Sequence, residues 1–217
     1  MNQEIHYRTI KEFLAFINEK TENFVLKGGT ALSVCYALDR FSGDIDFNGR
    51  ERNLFNYVKE YCENKGYDYR IAKDTELVQR GFIYYLDKST PLKIEASYRS
   101  KNIASDEVTK VKGINVYTLD ALCTMKCNAY LQRDRIRDLY DLSFIILEHY
   151  DELSKKTILQ VVDALSYKGL EQFDYLINTQ TDRYIDNEVL ETKILQVFDK
   201  LGILDNREFE AFDNKKA

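Results

Sequence analysis

Residue types that often carry enzyme chemistry are scarce in this chain. Its 217 residues include no tryptophan, one proline, two histidines and four cysteines. The histidines, His6 and His149, lie in helical or terminal contexts that are distant in sequence from the polar motifs described below. Nucleophilic catalysis by a Ser/His or Cys/His pair is therefore poorly supported. The 16 tyrosines are expected to pack in the core and in amphipathic helices rather than to form a platform for stacking bases.

The cysteines form no CxxC motif, and the pair that is four residues apart has no histidine nearby. They are Cys35, Cys62, Cys123 and Cys127, and each lies in an apolar segment. This pattern argues against a zinc site and predicts reduced thiols in the core.

Long hydrophobic runs are also missing. No apolar stretch approaches the roughly 20 residues that a membrane span needs, and nothing resembles a signal peptide. The sequence therefore predicts a soluble, cytoplasmic protein that is not bound to a membrane. A net charge of −5 argues against a surface that is basic all round, although local basic patches remain compatible with it.

Hydrophobic periodicity predicts an α+β fold. The predicted helices span 6–20, 30–38 and 53–65, followed by 118–133, 137–150, 155–165, 170–178 and 187–201. The predicted strands span 24–26, 44–47, 67–71, 82–86, 92–98 and 115–117, with a turn at DKSTP (87–91). We therefore expect a mixed sheet with helices in an N-terminal domain (1–117) and a helical bundle in a C-terminal domain (118–217). The tail (208–217) is expected to fray.

Two aspartates stand one residue apart in the otherwise apolar end of RFSGDIDF (40–47). Residues i and i+2 of a strand share a face, with Cα atoms roughly 6.5–7 Å apart, so the carboxylates of Asp44 and Asp46 repel unless a cation lies between them. Mg²⁺ takes oxygen ligands and keeps coordination positions for phosphate. On this interpretation Ile45 points into the core. The alternative is an edge strand with two solvated aspartates.

A Gly-Gly turn precedes this pair. Gly28 and Gly29 follow a short strand and lead into a helix that Thr30 is placed to cap. Glycines let backbone N–H groups approach an anion, and a helix N-terminus adds partial positive charge. Ser42 could donate to a phosphate or cap the turn. The pattern suggests a nucleoside triphosphate site, and the alternative is a tight strand-to-helix turn.

A third carboxylate lies in LKIEASY (92–98). Lys93, Glu95 and Ser97 share one face of this predicted strand. Glu95 could therefore face Asp44 and Asp46 from a neighbouring strand and complete a metal site for phosphoryl transfer. The alternative is an exposed glutamate paired with a lysine.

A second charged cluster follows in MKCNAYLQRDRIRDLYDL (125–142). On a helix, Lys126, Tyr130 and Arg133 lie on one face and could hold a triphosphate, and Asp138 and Asp141 also share a face. The alternative is a pair of amphipathic helices joined by salt bridges.

The order of these motifs resembles one family. KGGTAL, R-x-S-x-D-I-D-F, a later strand with K-I-E, a helical lysine and RDLYDL are similar to the AbiEii/AbiGii-type nucleotidyltransferases. These are the toxin halves of bacterial abortive-infection and toxin–antitoxin systems, within the DNA polymerase β-like superfamily. The resemblance covers about residues 24–147.

The resemblance implies a role for each matching residue. Asp44 and Asp46 match the catalytic, metal-binding carboxylates, and Glu95 takes the position of the third. The nucleotide-binding set is Lys27, Gly28, Gly29, Thr30, Ser42, Lys126, Arg133 and Asp138. Lys126 and Asp141 are expected to act in catalysis, with Asp138 or Asp141 orienting Lys126 or assisting at the acceptor. The wider superfamily has Gly-Ser where this chain has Gly-Gly, which shifts phosphate binding toward backbone N–H groups, Thr30 or Ser42.

The implied reaction is transfer of a nucleoside monophosphate from an NTP to an acceptor hydroxyl, with Mg²⁺ or Mn²⁺ as cofactor. The resemblance leads us to expect an RNA acceptor, such as the 3′ end of tRNA. It also leads us to expect growth arrest as the biological effect and a cognate antitoxin as a partner. One alternative is a nucleotidyltransferase for a small molecule such as an antibiotic, which the mild negative charge slightly favours. Another is a catalytically dead binding protein with the same fold.

Overall fold

The computed structural model describes residues 2–86, 90–100 and 102–203. The chain divides into two compact units, Met1–Thr118 and Leu119–Ala217. Part of the predicted turn at 87–91 and all of the predicted frayed tail at 208–217 lie outside the described residues.

A seven-stranded mixed sheet organises the first unit. Its strands are β1 (Phe24–Lys27), β2 (Ile45–Gly49), β3 (Asp68–Asp74), β4 (Val78–Tyr84), β5 (Leu92–Ser97), β6 (Val108–Val111) and β7 (Ile114–Tyr117). They follow the order β3-β4-β5-β2-β1-β7-β6. The β2–β5 and β1–β7 pairs are parallel, and the other neighbours are antiparallel. This mixed sheet confirms the predicted α+β class.

Three α-helices complete the described part of the first unit: α1 (Gln3–Lys20), α2 (Gly28–Cys35) and α3 (Leu54–Lys65). The helix α3 ends at Lys65, as the sequence predicts, because the next residue, Gly66, adopts the left-handed conformation with a φ of 69°. The predicted cap at Thr30 is wrong, since α2 begins two residues earlier and its N-cap residue is Lys27, whose side chain forms no capping hydrogen bond. The strand β6 was not predicted, because its residues are only half-buried and give no clear alternation.

The second unit is built from α4 (Leu119–Arg133), α5 (Ile136–Glu148), α6 (Lys155–Thr179) and α7 (Asn187–Lys200). The helix α4 packs on α5 and α6, and α7 packs on the same two helices. Two helices were predicted where α6 lies. They form one element that is interrupted at Gly169, whose φ of 67° and ψ of 177° are not helical.

The cores of both units are apolar and hold the four cysteines as free, buried thiols. The prediction of reduced core cysteines is therefore confirmed. Among the described residues, no helix is both long and apolar enough to cross a membrane.

Candidate active site

Three adjacent strands bring an acidic and basic row together on one face of the sheet. Lys27 on β1 lies opposite Asp46 on β2, and Asp46 lies opposite Glu95 on β5. Directly opposed residues of paired strands share a face. Asp44, two residues before Asp46, continues the same face. Strand pairing thus places Glu95 beside Asp46, a register that the sequence left open, and Ile45 is fully buried on the other face as predicted.

Basic side chains bind two of the three carboxylates. Lys93 Nζ donates to Asp44 Oδ2 at 2.8 Å, and Arg80 donates to Glu95 through Nε. Lys27 Nζ donates instead to Asn48 Oδ1 at 2.7 Å. Among the described residues, Asp46 forms no ion pair or hydrogen bond through its side chain.

The electrostatic environment of Asp46 favours a cation. Burial raises the pKa of Asp46, the positive charge of Lys93 offsets part of this effect, and the neighbouring Asp44 and Glu95 carboxylates raise the pKa further. Burial also lowers the pKa of Lys27. Both effects show that the ionised forms of these groups are incompletely compensated at this end of the sheet.

The donor set fits a hard divalent cation, because three carboxylate groups offer only oxygen ligands. In the part of the chain that the structure describes, no three His, Cys, Asp or Glu side chains are grouped closely enough to hold an ion as they stand. Asp44 and Glu95 are bonded to Lys93 and Arg80 instead. An ion bound by all three carboxylates would require these two cations to release them.

The two glycines of the turn are needed for different reasons. Gly28 has a φ of +76°, and a Cβ added there would lie 3.5 Å from Asp46 Oδ2. A Cβ at Gly29 would lie 2.9 Å from both Arg40 Nη2 and Ser42 Oγ. Gly28 therefore supplies a left-handed conformation, and Gly29 supplies space for the Arg40 guanidinium.

Arg40 was missed as a site residue. Its side chain is buried, with 5% of the residue exposed, and it reaches the first turn of α2 beside Gly29. The signal in the sequence is its position as the first residue of R-x-S-x-D-I-D-F.

Thr30 and Ser42 connect the turn to the acidic pair. Thr30 Oγ1 donates to the carbonyl oxygen of Asp44, and it lies 2.9 Å from Ser42 Oγ. Because a carbonyl oxygen can only accept, the Thr30 hydroxyl proton is used at Asp44 and Ser42 donates to Thr30. Both hydroxyls therefore position Asp44, and their direct contact with a phosphate stays a prediction.

His6 is distant from the motifs along the chain but lies beside one of them in the fold. His6 is buried, and its Nε2 donates to the Gly43 carbonyl at 2.7 Å while Nδ1 lies 2.5 Å from Tyr85 Oη. Gly43 immediately precedes Asp44, so α1 supports the entry to the acidic pair. Separation along the chain concealed this contact.

A buried ionic network joins α4 to α5 in the second unit. Lys126 Nζ lies 2.5 Å from Asp141 Oδ2 and 3.3 Å from Asp138 Oδ1. Arg133 binds Asp138 with two parallel hydrogen bonds, Nε to Oδ2 at 2.6 Å and Nη2 to Oδ1 at 2.8 Å. Both carboxylates are inaccessible to solvent. The salt-bridged helix pair that the sequence offered as an alternative is thus present.

Charge pairing keeps Asp138 ionised inside this network. Burial alone would raise its pKa, but the Arg133 hydrogen bonds and the charges of Lys126 and Arg133 outweigh burial, so the pKa of Asp138 is lowered. Lys126 is itself buried, with 10% of its side chain exposed. Binding of a nucleotide by Lys126 and Arg133 stays a prediction.

A mixed sheet with a helical second unit is the fold of a nucleotidyltransferase. The family described as "Nucleotidyl transferase AbiEii toxin, Type IV TA system" matches residues 13–214. The chain therefore belongs to this family, which confirms the resemblance. The protein is a nucleotidyltransferase toxin, and membership implies an NTP substrate and a partner antitoxin.

Two solved structures from Helicobacter pylori are similar along almost the whole chain. JHP933 is 26% identical with a TM-score of 0.74, and the match covers 100% of this chain and 99% of JHP933. A protein provisionally described as a nucleotidyltransferase is 27% identical with a TM-score of 0.72, and the match covers 95% of this chain and 99% of that one. No curated protein matched the sequence.

Proposed function

We propose that this toxin transfers a nucleoside monophosphate from an NTP to a hydroxyl of an RNA, such as the 3′ end of tRNA, with Mg²⁺ or Mn²⁺ as cofactor. One observation carries the metal-dependent part of the proposal. The pairing of β1, β2 and β5 sets Lys27, Asp46 and Glu95 side by side, with Asp44 and the Gly28 backbone next to Asp46. The RNA acceptor is proposed from the family resemblance.

Each proposed residue has a distinct task. Asp44, Asp46 and Glu95 hold the divalent cation, which when bound would neutralise phosphate charge and activate the acceptor hydroxyl. The N–H groups of Gly28 and Gly29 face the phosphates. Residues 1–117 form the nucleotidyltransferase domain, and residues 118–217 form a helical domain. In that domain Lys126 and Arg133 hold phosphate, while Asp138 or Asp141 orients Lys126 or assists at the acceptor.

The chemical step is a displacement at the α-phosphorus of the NTP. The acceptor oxygen forms a bond to the α-phosphorus. The bond between the α-phosphorus and the oxygen that bridges it to the β-phosphorus breaks, and pyrophosphate leaves. The acceptor hydroxyl loses its proton to solvent or to a site carboxylate. Lys27 and Lys93 provide positive charge beside the carboxylates on the face where this reaction would occur.

A small-molecule acceptor is the second candidate. The acidic net charge of −5 would attract a cationic drug and repel RNA. Transfer onto RNA and transfer onto a drug are separated by which product carries the label.

The test uses purified protein with Mg²⁺, total cellular RNA and each of the four α-labelled NTPs in turn. We expect one NTP to label RNA, and we expect chelation of the metal to abolish labelling. Asp44→Asn should reduce transfer by at least a hundredfold and remove toxicity, because it deletes a charged ligand of the cation. The fold should survive, since 52% of the Asp44 side chain is exposed. Unlabelled RNA with the wild-type protein, or full activity in Asp44→Asn, would refute the proposal.

A further inference from the structure

A pocket of about 550 Å³ lies in the second unit, lined by residues 133–137 and 180–182. These residues are the end of α4, the turn into α5, the start of α5 and the segment between α6 and α7. Three of the lining residues are arginines: Arg133, Arg135 and Arg137. The volume exceeds what one phosphate needs and lies within the usual range for ligand pockets. We call it the arginine pocket.

A single side chain fixes the frame of the arginine pocket. Gln180 Nε2 donates to the Asp134 carbonyl at 2.7 Å, and Gln180 Oε1 accepts from the Ile136 N–H at 3.1 Å. Lys168 Nζ also binds Asp134 Oδ1 at 2.7 Å. The turn is therefore held on both sides, and the arginines project from a frame that is ordered before any ligand binds.

The positive charge that the pocket offers a ligand comes mainly from Arg135, because Arg133 binds Asp138 and Arg137 binds Asp182. The two acidic residues of the pocket are already paired, Asp134 with Lys168 and Asp182 with Arg137 at 2.5 Å. Half of the Arg137 side chain remains exposed. Arg135 is exposed, and within the described residues its side chain forms no ion pair. A guanidinium has five N–H donors, so these arginines retain donors for a ligand.

The charged residues around the pocket are mainly acidic, so the positive charge is confined to the pocket. Outside residues 133–137, the second unit has more acidic than basic residues, and α6 and α7 carry exposed acids such as Glu171 and Glu188. A polyanion would be repelled from those helices and attracted to the arginine pocket.

The lining also indicates how a ligand would be recognised. Guanidinium groups bind phosphate through two parallel hydrogen bonds. Among the described residues, the lining contains no aromatic side chain on which a base could stack, so recognition would fall on phosphates and sugars rather than on bases. We propose that Arg135 and Arg137 of the arginine pocket bind the sugar–phosphate backbone of the acceptor RNA. This inference rests on the proposed transfer to RNA and makes that contact independent of base sequence.

The test compares Arg135→Gln with Arg183→Gln. Arg183 is an exposed arginine of the same unit that lies outside the pocket and covers the Tyr184 ring at 4.4 Å, so both variants remove one positive charge. Steady-state transfer gives KM for RNA and for NTP separately. The slope of log KM for RNA against log salt should fall by about 0.7–0.9 when one phosphate contact is lost. Anisotropy of a labelled RNA without NTP measures binding in the absence of chemistry.

We expect Arg135→Gln to raise KM for RNA several-fold, with KM for NTP and the melting temperature unchanged, and Arg183→Gln to have little effect. Equal effects of the two variants would overturn the inference, since they would show that RNA binding depends on the net charge of the protein and not on the pocket. A rise in KM for NTP alone would also overturn it and would indicate that the pocket holds the free nucleotide.

Failure of the proposed function gives a different pattern. If the wild-type protein labels no RNA, the anisotropy measurement still decides the pocket. RNA binding that Arg135→Gln weakens would support the inference, and absence of RNA binding by the wild-type protein would overturn it.

Discussion

Gly28 and Gly29 look equivalent in the sequence, but they impose different constraints. Gly28 needs a left-handed backbone, with a φ of +76°. Gly29 has no such conformation, but Arg40 and Ser42 leave no room for a side chain at this position. A substitution at Gly29 therefore acts on the site rather than on the backbone.

We predict that Gly29→Ala impairs transfer through KM for NTP. The new Cβ would lie 2.9 Å from Arg40 Nη2 and Ser42 Oγ, and overpacking of this kind costs about 1–3 kcal/mol unless those groups move. Movement of Ser42 would also disturb Asp44 through Thr30. Transfer kinetics and urea denaturation of the variant measure the two effects.

The matched control is Gly66→Ala. Gly66 also has a positive φ, +69°, but a Cβ there would meet nothing within 4 Å. It should lose about 1–2 kcal/mol of stability through backbone strain and keep its transfer kinetics. A Gly29→Ala protein with wild-type KM for NTP would show that the space beside Gly29 has no role in nucleotide binding.

At the scale of elements, the α4–α5 pair depends on charges that are buried together. Removing one partner of such a network leaves an uncompensated charge, which is why buried ion pairs are sensitive to single substitutions. Loss of activity in a Lys126 variant therefore has two explanations, lost nucleotide contact and lost folding, and stability must be measured beside activity.

Asp138→Asn tests the network through its pH dependence. The lowered pKa of Asp138 means that its contribution to stability is complete above the ordinary carboxyl pKa of about 3.9 and is lost as the pH falls through the lowered folded value. We expect a loss of about 1–3 kcal/mol near neutral pH that shrinks below about pH 4.

Urea denaturation of both proteins from about pH 7 to about pH 3 measures this difference. Asp199→Asn replaces an exposed acid of α7 and is the control, which should change the free energy of unfolding little. A loss of stability in Asp138→Asn that grows as the pH falls would contradict the assigned direction of the pKa shift.

Gly169 determines where α6 breaks. Its φ of 67° and ψ of 177° lie in a region that is nearly restricted to glycine, where another residue costs about 1–3 kcal/mol. We expect Gly169→Ala to lower the free energy of unfolding by this amount, as followed by loss of helical circular dichroism in urea.

A comparison with Gly202→Ala isolates the helix break. Gly202 has a positive φ of +63°, and a Cβ there has open space, as it does at Gly169. It should lose only about 1–2 kcal/mol. A neutral or stabilising Gly169→Ala would mean that α6 can run straight without cost.

At the scale of the whole molecule, binding of Mg²⁺ and NTP should stabilise the protein. A ligand that binds only the folded state adds about 2.7 kcal/mol at a concentration of a hundred times its Kd. For a chain of this size that is a rise of roughly 5–11 °C in melting temperature. Differential scanning fluorimetry with each NTP, with and without Mg²⁺, measures it.

Asp46→Asn should lose most of the Mg²⁺-dependent shift, since Asp46 is the carboxylate with no ion pair among the described residues. If no NTP shifts the melting temperature of the wild-type protein, the alternative of a catalytically dead binding protein gains support.

The sequence by itself determined most elements and the placement of the acidic pair on one strand face, because these depend on local periodicity. Alternation in LKIEAS placed Leu92, Ile94 and Ala96 in the core, and the spacing of Asp44 and Asp46 placed both on the other face from Ile45. The predicted end of α3 at Lys65 is also confirmed. Each of these features needs only neighbours within a few residues.

Only the tertiary structure decided which distant residues meet. The parallel pairing of β2 with β5 sets Glu95 beside Asp46, and folding brings His6 to Gly43 and Arg40 to Gly29. Strand register and helix docking are set by contacts between segments that are far apart in the chain, and local patterns contain no information about them. The acidic pair could therefore be identified from the sequence, whereas the residues that surround and support it could not.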